Sequence, residues 1–324
     1  MSDLRFRRNK MEEQVNTKRE DFEWTPQSCP LCPDATQRRV GSRGGSSHRD
    51  GLGSEAQIFE CDSCGLLFPN PMPFPKSGEF GNYDLDPGEY FQHHDLEFKL
   101  QISRKMVAWA EELLGRKGRI LDIGAGMGVL LKVAKEAGWE VTGVEPSDSF
   151  ADMADEISGI KVHRKRLQDC GFAEGEFDVV ILAAVLEHLY QPVEILSEIS
   201  RITADNGLLF FDVPNEKGLY FTIGNLYQRM KGRDWTVNLA PTFEPFHVFG
   251  YSKKPIEKLL SACEFEVVFM RTYPGVSLVP SSGSLRARVE SMAAKVVTKI
   301  AGVLGRGTYI DAWARRKPRK VDSV

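Results

Sequence analysis

Ile120-Leu121-Asp122-Ile123-Gly124-Ala125-Gly126-Met127-Gly128 is the stretch on which the fold turns. Its short apolar run reads as a buried parallel strand with Asp122 at the carboxyl end. Three alternating glycines then lead into the helical pattern 129–137, which Gly138 stops. A strand, a glycine turn and a helix in this order bring backbone N–H groups and a helix N-terminus close to a ligand, with no side chains in the way. A second strand, 140–144, delivers Glu145, 17 residues past Gly128. An acid at that place is where such folds grip a ribose.

The spacing Gly124-x-Gly126-x-Gly128 departs from the dinucleotide pattern, and an acid stands two residues before its first glycine. Further on come Phe177-Asp178-Val179-Val180-Ile181-Leu182 and Leu186-Glu187-His188-Leu189. Together with Glu145, these segments resemble the class I S-adenosylmethionine-dependent methyltransferases, over roughly residues 119–317. The resemblance implies an α/β fold, a doubly wound Rossmann-like sheet whose last strand runs antiparallel. It also implies that Asp122, Gly124, Ala125, Gly126 and Gly128 pass under the methionine part of the cofactor. Glu145 would bind the ribose hydroxyls, and Pro146, Leu167, Glu187 and His188 would complete the pocket.

The rhythm of apolar runs agrees. Strands are expected at 119–124, 140–145, 160–164, 177–183, 207–213 and 265–272, with a last one at 308–315. Helices are expected at 94–114, 129–137, 148–157, 192–203 and 253–263. Asp205-Asn206-Gly207 reads as the turn into the fifth strand.

Four of the six cysteines form two pairs, Cys29-x-x-Cys32 and Cys61-x-x-Cys64, separated by 28 residues. Each C-x-x-C turn points two thiolates at one ion, and two such knuckles complete a closed tetrahedral sulfur site for a structural zinc. The glycine-rich stretch 41–53, with His48, looks like a loop inserted in this ribbon. Cys170 and Cys263 follow no pairing pattern and are expected to pack in the core. The linear organisation is then a flexible tail at 1–24, a zinc ribbon at 25–75, a helical lid or linker at 76–118, and the methyltransferase domain at 119–318 with a helical insertion at 276–305. A zinc ribbon followed by this core is similar to methyltransferases acting on nucleotide-linked sugars and other small metabolites.

The net charge of −3 implies no polyanion partner for the whole chain, and DNA is not expected. No run of 18 apolar residues exists and the N-terminal residues are charged, so a cytoplasmic protein is expected. Residues 286–320 carry ten Lys or Arg against Glu290 and Asp311, a local net of +8 on an otherwise acidic chain. This suits a phosphate-bearing substrate or an anionic surface, or a solvated helix face. Within it, 285–304 reads as an amphipathic helix, for core packing, for dimerisation or for peripheral membrane contact. A monomer and a homodimer are equally compatible with the sequence.

Methyl transfer to a hydroxyl or a C–H acid needs a base, and histidine suits that task near neutral pH. His188 follows the fourth strand. Phe243-Glu244-Pro245-Phe246-His247-Val248-Phe249-Gly250-Tyr251-Ser252 resembles the Tyr-x-Glu-His-x-x-Tyr-x-Ser segment of sugar C-methyltransferases, in which the histidine moves a proton. That resemblance implies a catalytic role for His247, with Glu244 in place of the adjacent acid, and leaves O-, C- and N-methylation open. In ubiquinone-pathway O-methyltransferases a glutamate upstream of the Glu-His pair helps it hold a metal; Ala184 stands there, which weighs against a catalytic metal. An RNA methyltransferase and a non-catalytic cofactor-binding scaffold are the competing readings. Against the first, Ala183-Ala184-Val185-Leu186 stands where base N-methylating enzymes carry an Asn/Asp-Pro-Pro-aromatic motif. Against the second, the cofactor motifs are intact.

Overall fold

A computed structural model describes residues 17–77, 96–274 and 285–319. Tyr83, Tyr90, His93 and His94, the tail before residue 17 and the insertion's first residues, 276–284, lie outside the described residues. In chain order the strands are β1 (Phe22–Thr25), β2 (Gln37–Arg43), β3 (Ala56–Cys61), β4 (Leu67–Pro69), β5 (Met72–Pro75), β6 (Arg119–Ile123), β7 (Glu140–Val144), β8 (Phe177–Ala183), β9 (Thr203–Pro214), β10 (Phe265–Tyr273) and β11 (Tyr309–Arg316). The helices are α1 (Leu96–Leu114), α2 (Val129–Glu136), α3 (Asp148–Ser158), α4 (Pro192–Ile202), α5 (Leu219–Met230), α6 (Lys253–Ala262) and α7 (Leu285–Val303).

The chain divides into two compact units, each assembled from separate stretches. One comprises the described residues of Met1–Glu79, Pro214–Pro255 and Thr272–Tyr309; the other those of Phe80–Val213, Ile256–Arg271 and Ile310–Val324. They are called the cysteine unit and the sheet unit below.

The sheet unit is an α/β fold around a mixed six-stranded sheet of order β10-β11-β9-β8-β6-β7. The pairs β6–β7, β6–β8 and β8–β9 are parallel. Strand β8 reads Phe-Asp-Val-Val-Ile-Leu-Ala and is buried along six of its seven residues, the continuous apolar signature of a strand covered on both faces. Strand β11 enters between β9 and β10, and its Trp313 is 1% exposed with its ring 5.0 Å from that of Phe210. Local chemistry fixes the helix ends: Ser147 caps α3 by accepting from the Phe150 N–H, Gly159 closes it in the left-handed region, and Pro192 opens α4.

Two expectations are corrected. The strand expected at 160–164 is reduced to a single parallel bridge between Val144 and His163. His163 donates its N–H to the Gly143 carbonyl (2.8 Å) and accepts the Glu145 N–H (3.0 Å), while the neighbouring Val162 N–H, facing away from β7, donates to the Asp155 carboxylate of the preceding helix at 2.8 Å. The turn expected at Asp205-Asn206-Gly207 lies inside β9. Asn206 takes φ +62°, and the pairing with β8 slips between Phe177↔Thr203 and Val179↔Leu208, so these residues form a bulge rather than a strand start.

In the cysteine unit, β2-β3-β4 form one antiparallel sheet and β1 pairs antiparallel with β5. Strand β1 begins at Phe22, within the stretch read from sequence as tail. The segment after β9 also belongs here. Leu67 and Gly250 exchange both backbone hydrogen bonds (3.0 and 2.9 Å), and Leu239 shares a buried cluster with Ala56, Ile58 and Leu67. Helix α5 in this segment has no counterpart in the sequence reading.

Candidate functional site

In the sheet unit the parallel register sets Asp122 beside Gly143 on one side and Ile181 on the other, so β6, β7 and β8 end at one edge. Chain order reverses direction around β6 there, the crevice position at which open α/β sheets bind ligands. Asp122 is 3% exposed. The next glycines, Gly124, Gly126 and Gly128, take φ of +72°, +52° and +71°, left-handed values that a side chain resists. Gly124 is required a second time, since a Cβ there would stand 2.7 Å from Cγ2 of Val185; at Gly128 it would stand 2.8 Å from the Ala154 carbonyl oxygen. The N–H groups of Gly124 and Ala125 both donate to the Val144 carbonyl, at 2.8 and 3.1 Å, tying the loop to the end of β7.

Glu145 completes the loop. Its carboxylate accepts from the Gly126 N–H at 3.0 Å and from the Ser147 N–H at 3.1 Å. Burial pushes the Glu145 carboxyl above the usual range, while these two N–H groups pull the other way. Burial, reinforced by the charge of Glu145, pushes Asp122 up to about 7. Pro146 is half-buried beside Glu145, and Leu167 is buried at the start of the short 3-10 turn Leu167–Asp169.

After β8 the chain turns sharply at Ala184 (φ +54°), whose N–H donates to the Asp212 carboxylate at 2.9 Å. The turn Leu186–His188 follows. Glu187 is 2% exposed and pushed up to about 8, chiefly by burial, with the charge of Asp212 adding to it. Nε2 of His188 lies 3.9 Å from a Glu187 carboxylate oxygen. The structure thus brings Asp122, the glycine loop, Glu145, Pro146, Glu187 and His188 into one unit. Two acids crowded at a loop of N–H groups suit a ligand that carries both positive charge and hydroxyl donors.

Cys29, Cys32, Cys61 and Cys64 lie in the cysteine unit, all buried, with their sulfurs within 4.8 Å of one another. Two tight turns aim them. The Cys32 N–H donates to the Cys29 carbonyl (3.1 Å) and the Gly65 N–H to the Cys61 carbonyl (2.8 Å). The Cys29 and Cys64 sulfurs are 3.6 Å apart. A tetrahedral zinc with ~2.3 Å Zn–S bonds needs sulfur–sulfur edges of about 3.8 Å, so the donor set fits such an ion. Thiol donation from Cys29 pulls the Cys64 pKa down, and the same contact together with burial pushes Cys29 up. Of the remaining cysteines, Cys263 is buried as expected and Cys170 only half-buried.

Glu244 and His247 also belong to the cysteine unit. Their segment is held by the Phe246 N–H on the Phe243 carbonyl (2.8 Å) and the Ala240 N–H on the His247 carbonyl (3.3 Å). Both residues are half-buried, and burial raises the Glu244 carboxyl above its ordinary range. His48 accepts the N–H groups of Asp50 (3.1 Å) and Leu52 (3.4 Å) and meets the Phe243 ring at 4.8 Å, a loop-fixing role.

Sequence reasoning passed over one polar group in this unit. Burial lowers the Arg43 guanidinium to about 10; its Nε–H donates to the Leu239 carbonyl at 2.7 Å and it stands over the Phe243 ring. The fully buried Glu216 carboxyl, pushed up to about 7 by burial, accepts from the Asn238 amide at 2.6 Å. No motif marks these residues, because they converge only when 214–255 packs on the N-terminal strands.

Residues 93–269 match the protein family described as "Methyltransferase domain". Among curated relatives, the chain is 28% identical over 169 residues to a ubiquinone biosynthesis O-methyltransferase of Bordetella avium, covering 50% of this chain and 67% of that protein. To the enzyme of the same name from Pseudomonas aeruginosa it is 30% identical over 136 residues, covering 39% and 59%. The chain thus spans roughly three-fifths to two-thirds of these relatives. Of solved structures, a SAM-dependent methyltransferase from Archaeoglobus fulgidus aligns with a TM-score of 0.49 and 18% identity, over 71% of this chain and 97% of that one.

The buried carboxyls carry a pH dependence. Asp122, Glu145 and Glu187 are all raised above their unfolded values, so the folded chain holds protons that the unfolded chain has lost. Stability of the ligand-free protein should therefore fall as pH rises from about 5 to about 8. The thermal midpoint should decline over that window, and less steeply in Asp122→Asn. A midpoint that rises with pH, or an identical decline in the variant, would contradict the assignment.

Proposed function

The chain belongs to the methyltransferase-domain family, S-adenosylmethionine-dependent enzymes, and from that premise we propose that it methylates a small-molecule acceptor, a sugar nucleotide or a secondary metabolite. The observation that carries the cofactor assignment is the contact between Glu145 and the glycine loop. A carboxylate has about four lone-pair positions, and two here are used by backbone N–H groups. The remaining two suit a pair of ribose hydroxyls. Asp122, raised by burial and by the charge of Glu145, would be relieved by positive charge on the same ligand. Gly124, Ala125, Gly126 and Gly128 would hold the methionine part, with Pro146, Leu167, Glu187 and His188 around the adenosine.

When bound, S-adenosylmethionine supplies a methyl group already activated on a sulfonium. The protein then has to orient the acceptor, exclude water and take a proton. We assign the proton to His247, supported by its motif, with His188 as the alternative base. Losing a positioned base lowers the rate about 10²–10⁴-fold and leaves cofactor affinity alone. His247→Asn should therefore bind S-adenosylmethionine normally and turn over slowly across a panel of sugar nucleotides and phenols. Full activity in that variant, with His188→Asn inactive at unchanged cofactor affinity, would reverse the roles.

Removing the Glu145 carboxylate takes away charge-assisted hydrogen bonds of about 2–3 kcal/mol in total. Calorimetry on Glu145→Ala should find S-adenosylmethionine bound roughly 30- to 150-fold more weakly. Undiminished affinity would overturn the cofactor assignment.

The four cysteines would hold one structural zinc, all four thiolates engaged and no position open for chemistry. Elemental analysis of protein purified without added metal should find it near one per chain. Cys61→Ser should lose it and make the β2–β4 sheet sensitive to protease, since metal binding is folding energy for so small a unit. Metal-free protein with an intact, protease-resistant sheet would refute the assignment.

A further inference from the structure

The large apolar side chains left in water are not scattered. Among the described residues, eight of the thirteen exposed ones lie on α5 and α7, both in the cysteine unit, and a ninth, Leu304, directly follows α7. On α5 they are Ile223, Leu226, Tyr227 and Met230, spaced as one helical stripe, with Met230 78% exposed. On α7 they are Met292, Val296, Ile300 and Val303, followed by Leu304, again one stripe, with Val303 85% exposed. The opposite side of each helix is the packed one, Phe221 on α5 and Ala294 and Ala301 on α7.

The helices pack against each other and are pinned at one end. The Leu219 N–H donates to the Arg306 carbonyl (2.9 Å), and the Arg306 guanidinium donates to the Lys217 carbonyl (3.1 Å) and the Thr222 hydroxyl (3.0 Å). Charge along the pair is predominantly positive: residues 219–233 carry Arg229, Lys231 and Arg233 and no acid, and residues 285–306 carry Arg286, Arg288, Lys295, Lys299 and Arg306 against the single acid Glu290. No described helix is long and apolar enough to cross a membrane.

We propose that α5 and α7 form a docking face for an anionic lipid surface, lying in the headgroup plane with their two stripes inserted. Charge decides between this and a second copy of the chain. A two-fold contact through this face would set eight cations of one copy against the same eight of the other with only Glu290 on each to meet them, whereas anionic headgroups neutralise them. The face is independent of the methyl-transfer assignment.

Co-sedimentation of the full chain with phosphatidylcholine vesicles and with mixed phosphatidylcholine–phosphatidylglycerol vesicles tests it. Binding should appear on the mixed vesicles, be at least ~10-fold weaker on phosphatidylcholine alone, and weaken with added salt. Leu226→Glu/Met230→Glu and, separately, Val303→Glu should each reduce binding on the order of 10-fold or more, with circular dichroism and cofactor affinity unchanged. Arg229→Gln/Lys299→Gln, which leaves the stripes intact, should lose the preference for the anionic vesicles. No binding to either vesicle would overturn the proposal. So would equal binding by the glutamate variants, or a solution dimer by light scattering that the glutamate variants split.

Discussion

The sheet unit depends on one carboxylate. Glu145 receives the N–H groups of Gly126 and Ser147, and so joins the glycine loop after β6 to the start of α3 after β7. Without it, the Gly126 N–H would lose its acceptor at a loop already held in left-handed conformations. Burial, with the charge of Glu145 added to it, raises the Asp122 pKa, and burial also raises that of Glu145 against the pull of the two N–H groups. A structure that keeps two acids crowded in a poorly solvated place is less stable for it, and a cationic ligand bound there would offset the cost. Loop geometry, electrostatics and ligand choice are in this sense a single constraint.

Most of the sheet unit was legible in the sequence, because its signals are local. The run 120–128 carries a strand, a turn and a helix start in nine residues, and β8 is apolar almost throughout. The cysteine pairs likewise state their own geometry, and their convergence needs only that two knuckles meet. What misled was local backbone geometry: 160–164 meets β7 only through His163, with the neighbouring Val162 N–H tied back to Asp155 of the preceding helix, and a left-handed Asn206 turns an apparent strand boundary into a bulge.

The cysteine unit was less legible, because its assembly is non-local. Residues 214–255 lie in sequence within the presumed methyltransferase core, yet pair with Leu67 and bury Leu239 among the N-terminal strands. The Arg43, Glu216 and Asn238 group follows from that packing and from no motif. Helix α5 carries no start signal, since its N-cap is Gly218 with no side-chain cap, and Gly224 interrupts its pattern. Paired with α7, its exposed apolar stripe becomes the most informative surface of the unit.

Proton exchange on cofactor binding tests the central claim, that the acidic pair Asp122–Glu145 is the seat of a cationic cofactor. Titrating S-adenosylmethionine calorimetrically in buffers of different ionisation heat, near pH 6.5, counts the protons exchanged. Asp122, raised to about 7 in the ligand-free protein, should give up its proton as the cation arrives. The account predicts a net release approaching one proton, abolished in Asp122→Asn while binding persists. No release, a net uptake, or the same release from the variant would contradict it.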